Sequence, residues 1–306
     1  MGKGKFLITQ VHSAAINVKK RLAIRHSWGA VTSHTQQDGL DVRIVFVVGR
    51  SRLRSVDDII ISEAREYEDM LVTEFFDSYR RLSHKTLLAL KWADNFCRPQ
   101  YMLKTDDDCY VNVPNIVKFL VARKNSTLIA EKHKLATSTR VESNRTTNID
   151  DLYTGRIQWF MPTNRNKSSK FYTSEREYAE LVYPPYASGG GYLFAGGLIP
   201  QLVNASSRLS IIPNEDAYFG TLMHSIQVSP VENELMLPFI YCNQSMWERP
   251  ACDFTYPFVI HGVLNYAQIW IHYHVTVLTS VPGICKQSFK KRNKLGIPMY
   301  CHTDFT

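Results

Sequence analysis

The chain has 306 residues, of which 44% are hydrophobic and 21% are charged, and this composition is that of a globular protein and excludes a disordered one. Its length allows one large domain or two small ones. The formal net charge of +8 raises the question of a nucleic-acid partner. We expect none, because the basic residues are scattered and no recognised nucleic-acid-binding module accompanies them.

Short apolar runs alternate with segments of helical periodicity in the first third of the chain. The runs predict strands over 6–11, 42–49, 70–72 and 101–105. The periodic segments predict helices over 18–28, 56–67 and 83–96. Strands that alternate with helices predict an α/β fold with a doubly wound, mainly parallel sheet flanked by helices.

Three consecutive carboxylates, Asp106, Asp107 and Asp108, follow directly on the predicted strand 101–105. Adjacent negative charges repel one another, and taking them out of water is costly unless a cation compensates. A hard divalent ion such as Mg²⁺ or Mn²⁺ prefers such oxygen ligands together with the phosphate oxygens of a substrate. Ligands of open α/β sheets bind beyond the carboxyl ends of the strands. The triplet therefore favours a metal site, and a solvated acidic turn is the alternative.

The segment 128–180 loses periodicity and is predicted to be a long loop. After it, 183–192 contains two prolines and three glycines, which either permit close approach of a ligand or form a tight turn before a strand at 192–194. The apolar stretch 259–281 is interrupted by His, Asn and Gln, so we interpret it as a buried or amphipathic helix and not as a membrane span.

A second acidic motif, Glu215-Asp216, stands at the start of a predicted helix. Acidic residues in a first turn often only complement the helix dipole. A carboxylate in a cleft is also suited to proton abstraction. One acidic motif suited to metal and another suited to proton abstraction form a more specific combination than either motif alone.

Cysteines and glycosylation sequons bear on the compartment. The six cysteines form no CxxC pair, so we expect no structural zinc site, and disulfide pairing stays open because six cysteines allow 15 connectivities. A secretory compartment is favoured by the N-x-S/T sequons at Asn125, Asn144, Asn166, Asn204 and Asn243. No signal peptide or membrane anchor precedes the first predicted strand, and we expect a targeting segment to be missing from this chain.

Taken together, these segments resemble the β-1,3-glycosyltransferase family, which includes β-1,3-galactosyltransferases and β-1,3-N-acetylglucosaminyltransferases, with Fringe as a distant relative. The resemblance covers nearly the whole chain and is carried, in order, by KRLAIRHSWG at 20–29, FVVG at 46–49, DSY at 77–79, KTDDDCYVN at 104–112, Trp159, YPPYASGGGY at 183–192, EDAYFG at 215–220 and His261. Departures at Ser27, Arg81 and Ala187 leave the metal and base positions intact and leave the exact donor and acceptor open.

The resemblance implies a GT-A-type fold, a UDP-sugar donor and a manganese ion. It makes Asp108 the principal metal ligand, His261 a further ligand and Asp216 the general base. Without the resemblance, a buried histidine bonded to backbone is the favoured explanation of His261. For the nucleotide, the resemblance and the motif positions assign Arg21, Arg25, Asp106 and Asp107. For the donor or acceptor sugar they assign Trp159, Tyr186, Gly190, Gly191 and Glu215, although the aromatic members equally suit a core.

The implied activity is inverting transfer of galactose from UDP-galactose to a hydroxyl of a glycan, in β-1,3 linkage, on a glycoprotein or glycolipid. N-acetylglucosamine or N-acetylgalactosamine transfer is the alternative donor choice. A catalytically silent glycan-binding or escort relative and a metal-dependent phosphohydrolase or nuclease are the other classes, and the last lacks a second metal cluster.

The resemblance also implies a place on the lumenal side of the Golgi membrane, with membrane association through an N-terminal anchor absent from this chain. We expect one catalytic domain over 1–284, with a nucleotide-binding half at 1–127 and an acceptor-binding half at 128–284. A C-terminal tail follows at 285–306.

Overall fold

The computed structural model describes residues 4–30, 39–136, 151–237 and 249–285. Within these ranges the strands are β1 (Leu7–Ser13), β2 (Val42–Arg50), β3 (Met70–Phe76), β4 (Tyr101–Asp106), β5 (Cys109–Val111), β6 (Tyr153–Gln158), β7 (Tyr186–Ala195), β8 (Val231–Glu232), β9 (Met236–Leu237) and β10 (Val259–His261). The α-helices are α1 (Val18–Arg25), α2 (Arg54–Tyr67), α3 (Leu82–Trp92), α4 (Val113–Ala136), α5 (Ile199–Ser206), α6 (Glu215–Ser225) and α7 (Asn265–Ser280).

The central sheet has seven strands in the order β3-β2-β1-β4-β7-β6-β8. The four strands β3, β2, β1 and β4 run parallel, β7 is antiparallel to both of its neighbours, and β8 runs parallel to β6. Helix α2 packs against β3, α3 against β1 and β2, and α6 against β7. This arrangement confirms the predicted α/β class with a mostly parallel central sheet flanked by helices.

The central strands are buried along their length until they reach the carboxyl edge of the sheet. All seven residues of β1 are buried, and β4 is buried up to Thr105, as is usual for strands covered on both faces. Asp106, the last residue of β4, is the first of that strand with a partly exposed side chain. The acidic triplet therefore leaves the core at the edge where ligands of such sheets bind.

A second sheet brings a distant part of the chain to this edge. It has three strands in the order β5-β10-β9, and β10 runs antiparallel to β5 with His261 opposite Cys109. Because β5 begins directly after the triplet, this pairing places His261 beside Asp108.

The structure differs from the sequence predictions at the glycine segment. Strand β7 already begins at Tyr186, and Gly191 pairs with Thr105 of β4, so the tight turn before 192–194 is wrong. The glycines sit in the strand because neighbouring side chains approach it closely: a Cβ on Gly191 would lie 2.9 Å from Val259, and one on Gly190 would lie 3.1 Å from His261.

Two other segments are more regular than predicted. The predicted loop 128–180 contains the last residues of helix α4, which extends to Ala136, and the whole of strand β6 at Tyr153–Gln158. The stretch 259–281 contains β10 followed by α7, and no helix in the described ranges has the length and apolar character needed to cross a bilayer.

One disulfide, Cys252–Cys285, joins residues 33 apart in sequence and ties the segment before β10 to the end of α7. Of the predicted C-terminal tail 285–306, only Cys285 belongs to the described residues.

Candidate active site

Asp106 ends β4 beside a buried cation. Lys104 donates from Nζ to Asp106 Oδ1 at 2.9 Å, and the Asp106 side chain keeps about one-third of its surface exposed. Burial raises the pKa of Asp106, an effect that the positive charge of Lys104 only partly offsets. Asp106 is therefore accessible to a ligand, and its place in the nucleotide site stays a prediction.

Asp107 points the other way, toward the start of α1. Asn17 donates to Asp107 Oδ2 and Lys20 donates to Asp107 Oδ1, each at 2.8 Å. Since both carboxylate oxygens hold protein donors and the residue is buried, Asp107 joins α1 to the sheet edge. Its predicted contact with the nucleotide or sugar is not tested by this geometry.

Asp108 and His261 come together at the surface. The Nε2 of His261 lies 3.4 Å from Asp108 Oδ1, and the two side chains are 21% and 39% exposed. Burial opposes ionisation of Asp108, but the hydrogen bond and charge of His261 outweigh it and lower the pKa of the carboxyl. An exposed carboxylate oxygen beside an imidazole nitrogen is a donor pair that suits Mn²⁺.

Lys104 organises the space between the two acidic motifs. It is 1% exposed, and its Nζ reaches Asp106, the Gly189 carbonyl at 2.7 Å and Glu215 Oε2 at 3.1 Å. On Glu215, Oε1 accepts hydrogen bonds from Thr86 Oγ1 at 2.6 Å and from the Tyr192 hydroxyl at 2.7 Å. Glu215 is thus buried and held by three donors, and its predicted contact with a sugar stays a prediction.

Asp216 stands in the first turn of α6 and is only partly covered. The backbone N–H of Gly189 donates to its Oδ2 at 3.0 Å, and the N–H of Ala217 lies 3.2 Å from its Oδ1. Burial, followed by the negative charge of Glu215, raises the pKa of Asp216 to about 6. It is ionised at neutral pH but more basic than an ordinary carboxylate, which suits a general base.

Arg21 and Arg25 form ion pairs between α1 and α2. All five N–H donors of Arg21 are used, by the Glu63 carboxylate and by oxygens of Ser13 at the end of β1 and of the two residues that follow it. Arg25 binds Asp69 through two hydrogen bonds, contacts Glu63 at 2.7 Å and lies over the Tyr67 ring. The nucleotide contacts that the resemblance implies for both arginines stay predictions.

The predicted sugar-binding residues differ in exposure. Trp159 is 54% exposed and lines a pocket with Pro185 and His224, so its ring is open to a ligand. Tyr186 is buried against Gly220 of α6. Gly190 and Gly191 lie inside β7 and approach residues of β10 closely.

Lys104 and Tyr79 lie in motifs that carry the resemblance, but neither residue was predicted to have a role of its own. A lysine inside an apolar strand two residues before an acidic triplet was the available signal for Lys104, because a buried ammonium group requires carboxylate partners. Tyr79 packs edge-on against Phe171, and burial, then the charges of Asp216 and Asp106, raise its pKa to about 12.

Known proteins match this chain along most of its length. "Beta-1,3-galactosyltransferase 4" of Mus musculus is 36% identical over 72% of this chain and 60% of its own length. The protein of the same name from Homo sapiens is 32% identical over 76% of this chain and 64% of its own length. "Lactosylceramide 1,3-N-acetyl-beta-D-glucosaminyltransferase B" of Danio rerio is 26% identical over 88% of this chain and 66% of its own length.

The chain thus spans less than two thirds of the length of each of these relatives. The family model described as "Galactosyltransferase" matches residues 19–234, a range that contains the acidic triplet, Lys104 and Asp216. Since the match covers well over half of the chain, the protein belongs to the galactosyltransferase family.

Proposed function

We propose that the protein is an inverting β-1,3-hexosyltransferase that moves galactose from UDP-galactose to a hydroxyl group of a glycan. The observation that carries the proposal is the arrangement of Asp216, whose pKa is raised to about 6 and whose carboxylate is held by Gly189 beside the buried Lys104 and Glu215. The family membership and the relatives named as β-1,3-galactosyl- and N-acetylglucosaminyltransferases support the reaction class.

Asp216 is the proposed general base. Its carboxylate takes the proton of the acceptor hydroxyl while that oxygen attacks the anomeric carbon of the donor. The bond between that carbon and the UDP oxygen breaks on the opposite face, so configuration at the carbon is inverted. The Gly189 N–H holds Oδ2, and each carboxylate oxygen keeps a second lone pair for the proton.

Asp108 and His261 are the residues that would hold Mn²⁺, because they present an oxygen and a nitrogen 3.4 Å apart at the accessible edge of the sheet. When bound, the ion supplies positive charge to the leaving diphosphate. Gly190 leaves room for the His261 ring, since a Cβ there would meet it at 3.1 Å. Asp106 and the exposed Trp159 are the proposed contacts for donor and acceptor on either side.

Galactose is proposed ahead of N-acetylglucosamine or N-acetylgalactosamine because the relatives with higher identity are named galactosyltransferases. We extend the proposal to a glycan acceptor on a glycoprotein or glycolipid and to the lumenal side of the Golgi membrane. The Cys252–Cys285 disulfide supports the compartment, since such bonds persist in oxidising compartments.

The donor proposal is tested by UDP release from UDP-galactose, UDP-N-acetylglucosamine and UDP-N-acetylgalactosamine, each with a panel of acceptor sugars and with or without Mn²⁺. We expect Mn²⁺-dependent release that is greatest with UDP-galactose and lost in Asp108→Ala. Preference for another donor would keep the reaction class and correct the sugar. No release from any donor by folded protein would favour a silent glycan-binding relative.

The base is tested in the same assay with Asp216→Asn. We expect the rate to fall by about 10²- to 10⁴-fold while UDP binding, measured by calorimetry, is retained. Asp58→Asn is the matched control, because Asp58 is an exposed carboxyl on α2 and its loss should leave the rate unchanged. Wild-type turnover by Asp216→Asn would remove the base assignment.

A further inference from the structure

A thiol lies next to the proposed manganese ligands. Cys109 follows Asp108 in sequence and faces His261 directly across the β5–β10 pair. The Cys109 Sγ lies 3.9 Å from Asp108 Oδ1, and one ligand atom from each of the three residues falls within 4.8 Å of the other two. The side chains therefore form a set of one oxygen, one nitrogen and one sulfur around a common point.

The spacing of this set is close to that of a tetrahedral zinc site. Bond lengths of about 2.0 Å to nitrogen or oxygen and about 2.3 Å to sulfur place tetrahedral N and O ligands about 3.3 Å apart and S and O ligands about 3.5 Å apart. The observed N–O and S–O distances are 3.4 Å and 3.9 Å. The carboxylate and the imidazole already have the required separation, and the S–O distance exceeds the tetrahedral value by about 0.4 Å. The S–N distance is no more than 4.8 Å.

The hydrogen bonding of Cys109 leaves its sulfur able to act as a ligand. The S–H donates to the Gly190 carbonyl at 3.0 Å, so the lone pairs of the sulfur are directed elsewhere. Thr105 Oγ1 donates to the same carbonyl at 2.9 Å. If the thiol gives up its proton to solvent, the Gly190 oxygen keeps this second donor and is not left unsatisfied.

We propose that Asp108, Cys109 and His261 form a three-ligand site for borderline divalent ions such as Zn²⁺ and Co²⁺. Binding replaces the thiol proton, which is released to solvent, by the metal, and a fourth coordination position stays open as in zinc sites that exchange a water or substrate. Mn²⁺ is harder and prefers oxygen and nitrogen ligands, so it would use Asp108 and His261 without the sulfur.

The consequence is competition between two metals for one position. Zn²⁺ should bind tightly through the thiolate and displace Mn²⁺. The site would then hold a four-coordinate ion. This inference deepens the proposed function because it concerns the same two metal ligands, but its test does not require sugar transfer.

The test is titration of the purified protein with Co²⁺, followed by absorption spectroscopy. A thiolate-to-cobalt charge-transfer band in the near ultraviolet arises only when sulfur ligates the ion. We expect the band in wild type and in Cys97→Ser, the matched control at the other free cysteine of the described residues, and no band in Cys109→Ser. A missing band in wild type, or an unchanged band in Cys109→Ser, would overturn the proposal.

Binding of Mn²⁺, followed by electron paramagnetic resonance of the free ion, keeps the result interpretable if a variant folds poorly. Cys109→Ser should retain Mn²⁺ binding and lose Co²⁺ affinity by at least the roughly 10- to 100-fold that removal of a supporting group costs a metal site. Loss of both metals to the same degree would contradict a role specific to sulfur. A cobalt band without Mn²⁺-dependent transfer would remove the proposed function alone, and transfer without the band would remove this inference alone.

Discussion

At the scale of single residues, the environment of Asp216 predicts the pH at which the rate of the reaction falls on the acidic side of its pH profile, here called the acid limb. Burial and the neighbouring Glu215 raise its pKa to about 6, and only the deprotonated carboxylate can accept a proton. The value of kcat/KM should therefore fall as the pH drops through about 6, and not near 4 as for an ordinary carboxyl group. A pH profile of the free enzyme measures this, and a limb below pH 5 would contradict Asp216 as the base.

Lys104 connects the two acidic motifs, and its removal has two separate expected effects. Burial opposes the charge of Lys104, but the carboxylates of Asp106 and Glu215 outweigh burial and raise the pKa of the ammonium group. The stabilisation from these ion pairs is therefore fully present at every pH below the ordinary lysine pKa, which includes the whole assay range. Lys104→Met should lower the free energy of unfolding by about 3 kcal/mol, because Glu215 would be left buried without a cation. It should also move the acid limb to higher pH, because the charge of Lys104 lowers the pKa of Asp216.

Urea unfolding and the pH profile of kcat/KM measure these two effects of Lys104→Met. Lys118→Met is the control, since Lys118 is exposed on α4 and should change neither quantity. A stable Lys104→Met protein with an unmoved acid limb would show that Lys104 does not set the charge balance at Asp216.

At the scale of secondary-structure elements, patterns local in sequence were sufficient for the parallel half of the sheet. The strand predicted over 101–105 is β4, and the apolar run over 42–49 is β2, because strands buried on both faces are apolar throughout. Strand β7 was recognised only from 192, since three consecutive glycines have no strand propensity. The segment adopts a strand conformation in which Gly191 pairs with Thr105 of β4 and Gly190 lies against His261.

Contacts between residues distant in sequence determine the surroundings of Arg21 and His261, which local sequence patterns did not predict. The resemblance assigned Arg21 to the nucleotide, and no sequence pattern indicated its ion pair with Glu63, which lies 42 positions further along the chain. The sequence offered the resemblance alone as a reason to place His261 beside Asp108. The pairing of β5 with β10 provides that placement, and no local pattern encodes it.

The contact between α1 and α2 depends on the guanidinium of Arg21. Arg21→Lys keeps the charge but replaces five donors by three, so acceptors at the end of β1 and directly after it lose their partners. We expect the free energy of unfolding to fall by about 2 to 3 kcal/mol in urea titration. Arg43→Lys is the control, because Arg43 pairs with Asp41 at the surface. Unchanged stability together with lost UDP binding would instead support direct contact of Arg21 with the nucleotide.

At the scale of the whole molecule, the candidate site depends on the segment from β10 to α7. Helix α7 packs on α1 and on β5, and its Gln268 donates to the Asp107 carbonyl at 3.1 Å while accepting a hydrogen bond from Trp28 at 3.0 Å. The same segment carries His261. The acidic triplet is thus positioned both by the central sheet, whose strand β4 it ends, and by α7 and β10. These last two elements lie outside the residues 19–234 that the family model matches.

The disulfide Cys252–Cys285 encloses this segment, and its loss should weaken the site through the fold. For a loop of 33 residues, the entropy of the unfolded chain predicts a stabilisation of about 4 kcal/mol. The double variant Cys252→Ser/Cys285→Ser should lose about that amount in urea unfolding, and reduction should have the same effect on wild type. Cys97→Ser is the control, because Cys97 is a free thiol that lies outside the loop closed by the disulfide. Because His261 lies within the enclosed segment, Mn²⁺ binding should weaken together with stability. Intact metal binding by a destabilised double variant would show that the pairing of β10 with β5 and β9 holds His261 in place without the disulfide.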